Sequence, residues 1–150
     1  MAISQAMCTS FKVEILDGIH SFGPTVIRAS TSADTFRIAL FTSSATLGAS
    51  TTTYSSSNEV PNGSGYTTGG QTLTVSQVPT STSTTAWLDF DDVTWTTATI
   101  TANGALIYNS TQNDKAVAVL AFGGDKSSTA GNFTIQFPAA NSTSAIIRIA

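Results

Sequence analysis

Charge is what this chain has least of. Its 150 residues include six Lys and Arg, nine Asp and Glu and one His, so charged residues are 10% of the total and the net charge is −3. Ordinary soluble domains carry roughly 25%. Six scattered cations cannot line a phosphate-tracking groove, which argues against a nucleic-acid partner. The single cysteine, Cys8, excludes an internal disulfide and any multi-cysteine metal site, and it reads as a small buried hydrophobe. The single histidine, His20, has no cysteines with which to build a zinc site and no visible triad partners. No apolar run reaches the roughly 18 residues of a membrane-spanning helix, so no membrane partner is expected. The start, "MAISQAMCTS", lacks the basic and apolar regions of a secretory leader, so synthesis in a cytosol is expected.

Hydroxyls fill the space that charges leave. Ser and Thr together occupy 46 of the 150 positions. Threonine is β-branched and suits exposed sheet faces better than helix interiors. The patterning agrees, because from Thr35 onward apolar residues recur with period two. "TFRIALF", "QTLTVSQV", "AWLDF", "NFTIQF" and "AIIRIA" read as strands, and "KAVAVLAF", apolar on both faces, reads as a covered central strand. "TATITANGALIY" predicts a hairpin turning at Asn103-Gly104, a pair that tolerates positive φ. Thr42 to Gly70, rich in Ser, Thr and Gly, predicts an exposed excursion.

One stretch has a different period. Met7, Phe11, Ile15 and Ile19 recur every four residues and predict one helix over about 4–20. Ser4 would cap it, and Pro24 prevents its continuation. One helix, seven or eight short strands and no βα alternation predict a single mainly β domain over 1–150. The expected architecture is a two-sheet antiparallel β-sandwich, jelly-roll or immunoglobulin-like, with an N-terminal α-helix.

The motifs that suggest chemistry fail on context. "FGGDKSST" has the residue types of a phosphate loop, but Asp125 separates Gly124 from Lys126 and a strand follows where a helix is required. It reads as a glycine-rich bend between strands. Asp89, Asp91 and Asp92 cluster in "LDFDDVTW", yet calcium wants six to eight oxygens and the loop pattern is absent. Glu14 and Glu59 form no local acid pair of the kind glycosidases use. The sequons at Asn62, Asn109, Asn132 and Asn141 are expected by chance in so Ser/Thr-rich a chain. Neither catalytic residues nor a cofactor or metal site is expected. Trp87 and Trp95 are platforms for a sugar ring or a protein interface if exposed, and core residues if not.

The phrases "MAISQAMCTSFKVEIL", "FRIALFTSSATLG", "GYTTGGQTLT", "FDDVTW", "ALIYNS", "VAVLAFGGDKSSTAGNFTIQFP" and "IIRIA" run from the first residue to the last. In their order the chain resembles a family of small virion structural proteins of tailed bacteriophages, of the podovirus type and including cyanophages. Asn103 stands where that pattern suggests a basic residue. The resemblance implies a particle component without enzymatic activity, such as a capsid decoration or cement protein on the outer head surface. Its expected partners are the major capsid protein and copies of itself, as a trimer or similar homo-oligomer. A tail or fibre component and a host-glycan-binding module are the alternatives. Residues expected at partner contacts are Met7, Phe11, Ile15 and Ile19 on the helical stripe, Tyr54 and Tyr66 in the excursion, and Trp87 and Trp95.

Overall fold

The computed structural model describes residues 2–8, 10–11, 15, 18–23 and 32–149. Among these residues eight strands follow one another: β1 (Ala6–Met7), β2 (Phe36–Phe41), β3 (Gln71–Thr72), β4 (Val75–Thr82), β5 (Thr85–Phe90), β6 (Val93–Asn109), β7 (Lys115–Ile135) and β8 (Ile147–Ile149). They form two sheets, one of five strands in the order β1-β7-β6-β2-β3 and one of three in the order β4-β5-β8. Every pairing between these strands is antiparallel. The mainly β, two-sheet expectation is therefore met. One hydrophobic core serves both sheets, joining Phe36, Ile38 and Leu40 of β2 to Leu88 and Phe90 of β5 and Ile147 of β8.

The predicted helix over 4–20 is not seen. Ala6 and Met7 are extended and pair with Val119 and Ala118 of β7. Ile3 bridges Leu47. A strand edge therefore captures the first part of the stripe through backbone hydrogen bonds that a helix would have kept to itself. Ser10, Phe11 and Ile15 have helical backbone, but residues 9, 12–14 and 16–17 of the predicted element lie outside the described residues.

The predicted turns also lie elsewhere. Asn103-Gly104 lies inside β6, which pairs with β7 from Val93↔Ile135 to Asn109↔Lys115. The chain actually turns between Asn109 and Lys115, where Asn113 (φ 53°) and Asp114 (φ 56°) supply two left-handed residues. Asn and Asp tolerate that conformation better than other side chains. Gly104 is required for a different reason. A Cβ there would stand 2.6 Å from the Leu120 carbonyl oxygen and 2.9 Å from Ile3 Cγ2. The glycine opens room for the N-terminal segment to lie against the sheet.

The bend expected at "FGGDK" is likewise inside a strand, but its glycines still shape the backbone. Ala102 pairs with Lys126 and Gly104 with Ala121, so Asn103 alone opposes Phe122 to Asp125. Gly123 (φ 72°) and Gly124 (φ 143°) allow this bulge. Asn103 Nδ2 donates to Asp125 Oδ1 at 2.8 Å and ties its two sides together. The two sequence features taken for separate turns are the two halves of one irregularity.

The bulge divides the long hairpin. On one side Gly104–Asn109 and Ala116–Val119 are buried, as expected of a covered central strand. On the other side the pattern alternates. Trp95, Ala98, Ile100, Phe133 and Ile135 face the core, while Thr94, Thr99, Thr101, Ser127 and Thr134 face outward. The outward hydroxyls pair across the ladder, Thr94 with Thr134 at 2.9 Å and Thr101 with Ser127 at 2.8 Å.

Candidate functional site

Two clusters of buried polar groups, around Glu59 and around Asn109 and Asp34, hold the scaffold together. Glu59, 8% exposed, lies in the middle of the Thr42–Gly70 excursion. The hydroxyls of Tyr54 and Tyr66 donate to its two carboxylate oxygens, each at 2.6 Å, and the Gly69 amide adds a third bond at 2.7 Å. Tyr66 Oη in turn accepts the Leu40 amide of β2 at 2.9 Å. Burial, then the neighbouring carboxylate, pushes both phenols above their ordinary range and keeps them as donors. Tyr54 stacks on Tyr108 with ring centroids 4.5 Å apart. Tyr108 Oη donates to the Gly69 carbonyl at 2.8 Å, and Arg37 donates to the carbonyls of Gly69 and Gly70 at 3.1 and 2.8 Å. The excursion is thus fastened to the large sheet rather than loose in solvent. Three charge-assisted bonds to one carboxylate make it a latch.

A second cluster ties the N-terminal region to the turn of the hairpin. Asn109, fully buried, donates to Asp34 Oδ2 at 2.8 Å and lies 3.0 Å from His20 Nδ1. Gln112 Nε2 donates to Asp34 Oδ1 at 3.1 Å, and the Ser21 amide donates to Asp34 Oδ2 at 3.0 Å. His20 packs edge-on against Phe11, with centroids 4.8 Å apart. Its ring is half-buried between aromatic neighbours and an amide.

The Asp89, Asp91 and Asp92 cluster is separated by the end of β5. Asp89 is 1% exposed, and its Oδ1 accepts the Phe90 amide at 2.9 Å while Oδ2 has no hydrogen-bond partner. Burial raises its pKa, against the opposing pull of the Phe90 and Ile146 amides. Asp91 and Asp92 are exposed, and Asp92 Oδ1 accepts the Phe137 amide at 2.8 Å. Among the described residues no three His, Cys, Asp or Glu side chains group as metal ligands would.

The residues expected at partner contacts are dispersed. Phe11, Tyr66 and Trp95 are 0%, 2% and 2% exposed and belong to the core of this chain. Trp95 packs between Tyr66 and Phe133, with centroids 5.9 and 6.2 Å away. It offers no face to a sugar. Met7, Ile15, Ile19 and Tyr54 are half-buried. Trp87 is half-buried too, with its indole N–H 3.4 Å from Thr82 Oγ1.

A surface that residue-type reasoning passes over is the outer edge of β7. The chain covers this edge in sequence: Thr53 bridges Lys115, and β1 then pairs with Ala118 and Val119. The Ala116 amide donates to Thr52 and the Cys8 amide to Val117. From Leu120 to Ile135 the cover stops, and no other strand among the described residues pairs with that edge. Beside it runs an open groove of about 550 Å³ with a mixed lining, apolar at Leu120, Phe122 and Ile146 and polar at Gln5, Lys126 and Gln136 among others. The opposite margin of the hairpin is better protected, since the Thr99 amide donates to the Ser64 carbonyl at 2.8 Å. Unpaired strand edges are pairing templates that proteins ordinarily blunt. The signal in the sequence was a long run without charge: none of the residues Ser127 to Ile147 is ionisable. The chain matches no protein-family model, no curated protein and no solved structure.

Proposed function

We propose that this chain is a structural protein of a tailed-phage particle, a decoration or cement protein on the outer surface of the head. Its two sheets are read as the layers of an antiparallel sandwich. The whole-length resemblance of its phrases suggests the particle, and the β7 edge, unpaired among the described residues and beside a groove of mixed polar and apolar lining, is the observation that favours a binding role. Such an edge joins another chain through backbone hydrogen bonds while the groove takes side chains. Among the described residues, the buried acids Glu59 and Asp34 are tied into the framework by hydrogen bonds from neighbouring segments.

The mechanism is mechanical. A rigid β body that buries area on neighbouring copies of the major capsid protein ties them together and raises the work of separating them. Fastening the excursion through Glu59 serves this role, because a preorganised surface loses less entropy on binding than a loose one. Cryo-electron microscopy of particles carrying a tagged copy tests the proposal. Density repeating with the head lattice supports it. Density confined to the tail assigns the chain to the alternative tail component, and absence from purified particles removes the virion reading altogether.

A further inference from the structure

We infer that the uncovered edge of β7 is a self-association surface, on which a second copy of this chain pairs antiparallel through Gly131–Ile135 about a two-fold axis near Phe133. The inference stands apart from the virion reading, since it concerns the chain alone.

The usable stretch is bounded at both ends. Toward the N-terminus, Ala130 (φ 46°) and the bulge at Gly123 and Gly124 break the regular edge. Toward the C-terminus, Pro138 has no amide to donate. Between them Phe133, Thr134 and Ile135 pair in register with Trp95, Thr94 and Val93, and the extra residue of the irregularity that follows, between Trp95 and Ala98, lies on β6 while Gly131 keeps its pairing with Ala98. The strand is therefore held by its inner neighbour, and no strand among the described residues pairs with its outer side.

Self-complementarity identifies the occupant. Antiparallel pairing about Phe133 sets Asn132 of one copy opposite Thr134 of the other, and Gly131 opposite Ile135. Polar residues then meet polar ones on the exposed face, because Asn132 and Thr134 both point to solvent. Phe133 and Ile135 lie on the other face, turned toward the core of their own copy, and leave the paired backbone as the contact. Like charges directly opposite would prevent this pairing, and the chain as a whole carries −3. No ionisable residue lies between Lys126 and Arg148, so the edge is electrically silent where the rest of the chain would repel its copy. A stable interface buries about 1,000 Å² or more, and the groove of about 550 Å³ beside the edge adds mixed polar and apolar surface next to the paired backbone.

Sedimentation of the purified full chain over a concentration series tests this. The expected result is a shift from 15.5 kDa to twice that mass. Asn132→Lys with Thr134→Lys sets like charges opposite one another and is expected to return the monomer, with the far-ultraviolet spectrum unchanged. Asn132→Cys with Thr134→Cys is expected to give a disulfide-linked dimer on oxidation, whereas the parent chain, with Cys8 buried, gives none. A monomer at every concentration overturns the inference. So does a dimer indifferent to the lysine pair and not trapped by the cysteine pair, or a trimer, which a two-fold edge cannot build.

Discussion

Glu59 and Asp89 are both carboxyl groups withdrawn from water, 8% and 1% exposed, yet their surroundings differ in kind. Glu59 receives two phenolic hydroxyls and a backbone amide. Asp89 receives the Phe90 amide on one oxygen and has no hydrogen-bond partner on the other. Burying a charge is unfavourable unless donors replace the water it loses. Glu59 has such donors, and the segment built around it is held to the sheet. Asp89 has only backbone amides, Phe90 and the weaker Ile146, and burial outweighs them, so its pKa is raised. The comparison separates a polar group that organises the fold from one that the fold merely tolerates.

Removing the organising acid breaks the comparison most severely. Glu59→Ala leaves two tyrosine hydroxyls and the Gly69 amide without their acceptor. Each buried orphan costs about 1–3 kcal/mol, so a loss of about 3–5 kcal/mol is expected by urea unfolding. Hydrogen exchange is expected to quicken around Glu59 and Gly69 before it does in β6; uniform quickening would contradict a local latch. Tyr66→Phe is expected to have a smaller effect. It removes one donor from Glu59 and one acceptor from the Leu40 amide while keeping the ring against Trp95. A loss of about 1–3 kcal/mol is expected in the same assay. If Tyr66→Phe matched Glu59→Ala, the hydroxyl rather than the carboxylate would be the centre of the network.

Strand positions were readable because period two survives in "FRIALF", "AWLDF" and "NFTIQF", where one face is buried and the other is wet. The turns were less readable. Asn103-Gly104 has the local preferences of a tight turn, but pairing along β6 and β7 outweighs them, and Asn113-Asp114 makes the turn instead. Local preference amounts to about 1 kcal/mol, well below what continuous pairing and burial supply. The stripe of Met7, Phe11, Ile15 and Ile19 failed at its start for a similar reason, since an open edge at Ala118–Val119 competes for Ala6–Met7. The Glu59 latch was hidden because its partners lie five, seven and ten residues away in a segment of low apolar content. Its only outward trace is a pair of tyrosines, Tyr54 and Tyr66, flanking a lone glutamate. Asp89 was noticed for its acidic neighbours, but its burial depends on β4 and β8 on either side of β5, which no local window contains.

The tolerated acid gives the smallest effect, in the opposite direction. Asp89→Asn keeps an oxygen for the Phe90 amide and removes the need to bury a charge, so the variant is expected to be more stable at neutral pH, by about 1 kcal/mol. The pH dependence fixes the cause. A carboxyl whose folded pKa lies above its unfolded value of about 3.9 favours folding most when protonated, below that pH. This contribution is lost as pH rises through the folded pKa. The advantage of Asp89→Asn should therefore be near zero at the acid end, grow as pH rises and then level off. Thermal unfolding of both chains at a series of pH values measures the difference. An advantage that shrank as pH rose would mean that the folded protein stabilises the Asp89 carboxylate, and the two buried acids would then be alike.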